Sequence, residues 1–165
     1  MPLKRFEPPV SRKSTKGIKR PILLYVEDDM TNGDLLQMRL RKKYDVLVAR
    51  DDREACKIIS DRSGEIEVFL IDIALQNSEL NGIQLVKLIR VNLNRDLVPD
   101  YASQVPLVDK PVIFITAFGN QYLEVKQIDA LLVHKPVNFV ELEMALAQVL
   151  LKNSSETKPE KAEKA

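Results

Sequence analysis

Five short apolar runs punctuate the chain: ILLYV (22–26), VLVA (46–49), VFLI (68–71), VIFIT (112–116) and LLVH (131–134). Their apolar side chains stand at successive positions instead of alternating with polar ones, the pattern of strands buried on both faces. Helical periodicity fills the intervals. It predicts helices over Thr31 to Lys43, with Leu35, Leu36 and Leu40 facing inward, over Arg53 to Arg62, over Gly82 to about Asn92, over a short stretch near Gln121 to Gln127, and over Asn138 to Leu151. The last has a defined start, since Asn138 can cap the helix and Glu141, three residues on, can reach back to the cap. Leu142, Leu146, Val149 and Leu150 then form its apolar stripe. Strands alternating with helices read as a parallel α/β sheet covered on both sides.

Two stretches break this rhythm. LQNSELN (75–81) is a polar connection, and residues 93–110 combine Pro99 and Pro106 with Leu97, Val98, Tyr101, Val105, Leu107 and Val108. The second is long for a connection in a compact domain, and it reads either as a functional insertion or as an Ω-like loop packed on itself.

The chain has 165 residues and is 45% apolar, enough for one ordinary domain with a real core. Its net charge of +1 hides an asymmetry. Residues 1–20 carry seven Lys and Arg against Glu7, and residues 152–165 carry four Lys against three Glu, which leaves residues 21–151 at about −6. The leader and tail read as solvated, disordered segments, with an arm for a nucleic acid or an acidic partner as the other reading of the leader. No apolar run approaches the length of a membrane span or a signal-peptide core, so the expectation is a cytoplasmic protein with no membrane insertion. Cys56 is the sole cysteine; it lies on an apolar stripe with Ala55, Ile58 and Ile59 and reads as a small buried residue.

In an open α/β sheet, ligands bind beyond the carboxyl ends of the strands, so the residues following each apolar run matter most. The first run is followed by Glu27, Asp28 and Asp29, and the third by Asp72. The fourth ends in Thr116 and Ala117, and the fifth in His134, Lys135 and Pro136. Clustered carboxylates repel one another unless a cation sits among them. With hard oxygen ligands and no His or Cys cluster, that cation is Mg²⁺ rather than zinc. Asp72 is the candidate nucleophile, since a carboxylate can accept a phosphoryl group as an acyl phosphate. Lys135 would neutralise the phosphoryl oxygens, and the Thr116 hydroxyl could bond one of them. His134, the single histidine, reads as structural, having no second histidine with which to hold a metal.

The motifs ILLYVEDD, VFLIDIAL followed by NG, VIFITAF and HKP, in that order, resemble the receiver domain of two-component response regulators, the CheY-like family, across residues 21–151. The resemblance implies a flavodoxin-like, doubly wound five-stranded parallel sheet of order 2-1-3-4-5. It implies that Asp72 is the phosphoacceptor and also a metal ligand, that Asp28 holds Mg²⁺ directly and Glu27 through water, and that the backbone carbonyl of Ala74 is a further metal ligand. Thr116 would be the switch hydroxyl and Lys135 the family's lysine. Asp29 falls to capping the first helix. Pro136 follows a peptide bond that is often cis in the family. The implied partners are a sensor histidine kinase or histidine phosphotransfer protein as donor and a downstream protein as target.

The chain departs from the family pattern at several points. The loop between Asp72 and Gly82 is about two residues longer than usual and lacks its usual proline, a dozen residues are added largely within 93–110, and the fourth helix is shortened. Leu132 stands where an aromatic switch residue is common. Ala117, Phe118, Leu132 and Pro136 are the switch and tuning positions; Ala74 cannot hold an attacking water and Phe118 could shield the site, which predicts slow self-dephosphorylation. The sequence therefore predicts a stand-alone receiver rather than an enzyme, with no direct DNA binding because no helix-turn-helix follows and the core is acidic. Two rivals are a receiver-like interaction module that does not depend on phosphorylation and an Asp-nucleophile phosphohydrolase, the latter disfavoured by the missing acid/base carboxylate two residues after Asp72.

Overall fold

A computed structural model describes residues 17–90, 93–117 and 123–156. Five parallel strands, β1 (Ile22–Val26), β2 (Asp45–Ala49), β3 (Ile66–Ile71), β4 (Val112–Thr116) and β5 (Leu131–His134), form one sheet in the order β2-β1-β3-β4-β5. Each of the five apolar runs is a strand, and the expected strand order holds. Four α-helices accompany them: α1 (Met30–Leu40), α2 (Asp52–Arg62), α3 (Gly82–Ile89) and α4 (Phe139–Glu156).

The side chains of each strand divide between two cores, because successive residues point to opposite faces. On one face Leu24, Val26, Phe69, Ile71 and Phe114 pack with Ile59 of α2 and Leu85 and Ile89 of α3. On the other, Leu23, Tyr25, Val68, Leu70, Ile113 and Ile115 pack with Leu36 and Leu40 of α1 and Leu142 and Leu146 of α4. Cys56 is buried in the first core, and burial, reinforced by the charges of Asp52 and Asp51, pushes its thiol up to about 12.

Several expectations need correction. Leu35 is not an inward residue: it is 40% exposed, because α1 turns Gly33, Leu36 and Leu40 onto the sheet. α1 stops at Leu40, whose carbonyl accepts the N–H groups of both Lys43 and Tyr44 in a closing turn. The short helix expected from Gln121 is a 3-10 turn at Leu123–Gln127. α4 runs to Glu156, five residues beyond Leu151 and into the segment read as a charged tail. Residues 157–165 and 1–16 lie outside the described residues, as does Phe118.

The segment 93–110 closes backbone hydrogen bonds within itself and also packs onto the domain core. Its two 3-10 turns, Arg95–Leu97 and Asp100–Ala102, place Ala102 and Val108 in the core beside α2 and α3, with Leu93, Val98, Tyr101 and Val105 packed against it. Val108 N–H donates to the Ile89 carbonyl at the end of α3. Asn138 caps α4 as expected, accepting from the N–H groups of Val140 and Glu141. A reciprocal capping box stands at the start of α3, where Asn81 and Gln84 bond each other's backbone N–H groups.

Candidate functional site

The carboxyl ends of β1, β3 and β5 meet at one edge of the sheet, and each delivers a charged side chain within one or two residues of its last position. β1 lies between β2 and β3, so its tip is held on both sides: Glu27 N–H donates to the Ala49 carbonyl and Asp72 N–H to the Val26 carbonyl. Glu27, Asp28 and Asp72 each offer a carboxylate oxygen, and these lie within 4.8 Å of one another. Glu27 is 1% exposed and Asp72 5%. Asp29 lines the same cleft but stands outside the cluster of three, accepting from Asn32 N–H as the N-cap of α1.

Lys135 reaches in from the end of β5. Its Nζ stands 2.6 Å from Glu27 Oε2 and 2.6 Å from Asp72 Oδ2. Burial alone would lower its pKa, but the hydrogen bonds and charges of Asp72 and Glu27 outweigh that and raise it, so the ammonium stays charged. Burial raises the pKa of Glu27 against the opposing bonds from Lys135, Tyr25 and Asp29. Lys135 N–H also donates to the Thr116 carbonyl, locking the tips of β4 and β5 together, and the peptide bond to Pro136 is cis.

Three carboxyl groups face one ammonium at this edge, an acidic excess. That charge and an all-oxygen donor set are compatible with a divalent hard cation such as Mg²⁺; among the described residues no His or Cys joins the cluster. The cleft is lined by Glu27, Asp28, Asp72, Ala74, Gln76, Ala117 and Lys135 among others. Thr116 is fully buried at the end of β4, Ala117 is exposed beside it, and His134 is exposed on β5. Leu132 is partly buried against the core shared with α2 and α3.

The structure adds residues that the chain alone did not single out. Tyr25 is 1% exposed and its hydroxyl donates to Glu27 Oε2 at 2.7 Å. The signal was present, because residues two apart on a strand share a face, but a tyrosine in an apolar strand reads as core filler. Burial and the charge of Glu27 push its phenol far above the ordinary range, so it remains a donor. Gln76 N–H donates to Asp28 Oδ2 at 3.0 Å and Ala74 N–H to Asp72 Oδ1 at 3.3 Å. Backbone donors of this kind leave no mark on residue type.

Gly82 is required by close approach. A Cβ there would lie 2.1 Å from the Asp72 carbonyl oxygen, and Gly82 N–H donates to the Ile73 carbonyl at 2.8 Å. The first turn of α3 is thereby pressed against the backbone that carries Asp72.

Solved structures of this architecture include several receiver domains. The receiver domain of the Francisella response regulator 1452 aligns with a TM-score of 0.63 at 21% identity, covering 81% of this chain and 99% of that one. The signal receiver domain of an HD domain-containing protein from Pseudomonas fluorescens aligns at 0.63 and 23%, covering 83% and 99%. This chain has the receiver-domain fold. A third receiver fold, from a modulated diguanylate cyclase of Desulfovibrio desulfuricans, aligns at 0.62 and 24%, covering 84% and 99%. No protein-family model and no curated protein matches the sequence. Among the described residues, no helix is long and apolar enough to cross a membrane.

Proposed function

We propose that this protein is a phosphorylation-dependent signalling switch of a two-component system, accepting a phosphoryl group on Asp72 from a sensor histidine kinase or a histidine phosphotransfer protein. The observation that carries this reading is Lys135, held 2.6 Å from both Asp72 and Glu27 at a strand edge that also bears Asp28. An ammonium there is placed to face the oxygens of a phosphoryl group on Asp72. In the transfer, the P–N bond of a phosphohistidine breaks, its electron pair staying with the imidazole nitrogen, as a P–O bond forms to the Asp72 carboxylate.

Asp28 and the Ala74 carbonyl would hold Mg²⁺ directly. Glu27 would act through water, because its two oxygens already accept from Tyr25, Lys135 and Asp29 N–H. Bound Mg²⁺ supplies neutralisation of the phosphoryl charge. Thr116 would bond a phosphoryl oxygen once it arrives, and the new charge would shift an existing equilibrium towards a form that binds a downstream protein. Ala74, next to the site, offers no polar side chain to hold an attacking water, which favours a long-lived acyl phosphate. The reading is of a cytoplasmic signalling domain, not a catalytic enzyme, with no direct DNA contact.

Incubating the wild type and Asp72→Ala with acetyl phosphate and Mg²⁺, then following gel mobility and phosphate release, tests this. A stable shift that requires Asp72 is expected. An unshifted wild type would instead mark an interaction module independent of phosphorylation, and rapid multiple turnover on small phosphate esters would mark a phosphohydrolase.

A further inference from the structure

A second buried carboxylate lies outside the site just described. Asp52, the first residue of α2, is 1% exposed, and among the described residues no Lys or Arg pairs with it. Its Oδ2 accepts from the backbone N–H groups of Glu79 at 3.1 Å and Leu80 at 3.0 Å and from the hydroxyl of Tyr101. Its own N–H donates to Ser78 Oγ at 3.1 Å. One residue thus holds three consecutive residues of the loop that follows Asp72, Glu79 and Leu80 through its carboxylate and Ser78 through its backbone N–H, together with the middle of the 93–110 insertion.

We propose that Asp52 and Tyr101 are positioning residues for the acidic site, so that the 93–110 insertion is part of the scaffold that presents the loop 74–80 to Asp28 and Asp72. The loop is pinned at both ends. At the site it gives Ala74 N–H to Asp72 and Gln76 N–H to Asp28; at the clamp Ser78, Glu79 and Leu80 are held by Asp52. Asn77 alone separates the two anchorages, at φ 56°, a left-handed conformation that asparagine tolerates better than most residues. With so short a span, Ser78 to Leu80 cannot move without carrying the Gln76 amide and the Ala74 carbonyl with them.

The insertion supplies the rest of the clamp. Tyr101 is fixed from above by the Arg53 guanidinium, 4.3 Å from its ring centroid, and Arg53 also pairs with Glu79 at 3.4 Å. Ala102, next in sequence, is 1% exposed in the core, so Tyr101 is not on a free loop. A buried carboxylate satisfied by neutral donors must keep them, since each lost partner leaves a desolvated oxygen or N–H group. Because binding linkage is reciprocal, whatever tightens the insertion on α2 also tightens cation binding at the site, and the reverse.

The test compares the full chain with Tyr101→Phe, Asp52→Asn and Ile59→Val, the last a core control on the same helix. Amide hydrogen exchange in metal-free protein is expected to speed up at Gln76, as well as at Glu79 and Leu80, in Tyr101→Phe and Asp52→Asn but not in the control. Titration with Mg²⁺ alone, followed by tyrosine fluorescence or calorimetry, is expected to show the dissociation constant raised about tenfold in the same two variants. This second arm rests on the function proposed above. If the wild type binds no Mg²⁺, that reading fails, while the exchange of Gln76 still decides the clamp. Should Asp52→Asn not fold, Tyr101→Phe keeps both arms. Loosening of Glu79 and Leu80 with Gln76 exchange unchanged would overturn the proposal, reducing Asp52 to a local cap.

Discussion

Two buried acidic centres lie in this domain and are satisfied in opposite ways. Glu27 and Asp72 share a cation, Lys135, whereas Asp52 is held by two backbone N–H groups and a phenol. An ion pair can be exchanged for another cation or for a phosphoryl group of opposite demand; a carboxylate held by fixed neutral donors has nothing to exchange. The first arrangement suits a site whose charge changes, and the second suits a fastening. The crowded charge at the first centre is a stability cost, because Asp28 joins Glu27 and Asp72 within 4.8 Å while one lysine answers them.

The largest expected effect comes from removing the shared cation. Lys135→Met should lower the metal-free unfolding free energy by about 3 kcal/mol, since it leaves two buried carboxylates unpaired. Denaturant titration measures it. The pH dependence carries a further signature. Lys135 holds its proton more tightly in the folded chain, so its contribution is complete below the ordinary lysine value of 10.5 and is lost as pH rises through the higher folded value. Glu27, whose folded pKa is also raised, favours the fold most when protonated, and that advantage disappears as pH rises from its ordinary value of 4.5 through the raised one. Lys135→Met should reduce the alkaline loss by the lysine's share, leaving the part due to Cys56 and the buried tyrosines, whose folded pKa values are also raised; an undiminished loss would break the contrast between the two centres.

Next in size is Asp52→Ala, expected to cost about 2 kcal/mol by stranding the N–H groups of Glu79 and Leu80 and the Tyr101 hydroxyl. This loss should shrink at alkaline pH, because Asp52 raises the folded pKa of the Tyr101 phenol and of the Cys56 thiol. Smallest, and opposite in sign, is Asp28→Asn. The amide oxygen can still accept from Gln76 N–H, while one of three like charges is removed, so metal-free stability should rise by about 1 kcal/mol. Stabilisation by added Mg²⁺ should fall at the same time. Thermal melts with and without Mg²⁺ read both changes, and a destabilised Asp28→Asn would show that the carboxylates do not strain one another.

Much of the site is legible in residue order alone. Glu27, Asp28, Asp72, Thr116 and Lys135 all follow apolar runs, and parallel strands bring their carboxyl ends to one edge, so knowing the strands is nearly knowing the neighbours. Asp29 was separable too, because a carboxylate directly before a helix caps it. Asp52 was not legible: an aspartate opening a helix, next to Asp51, reads as a first-turn acid on a solvated surface. Tyr101 lay in a segment with no periodicity to assign it a face.

The strand positions, their parallel order and the meeting of acids with Lys135 were determined by the sequence, because local apolar patterning and βα connectivity leave few arrangements open. Only the tertiary structure decided which carboxylate each donor serves, that the 93–110 segment packs against the core beside α2 and α3, and that Asp52 and Tyr25 are buried. Those outcomes depend on backbone N–H groups and on contacts between residues 26 to 49 positions apart, and neither is written in the type of any single residue.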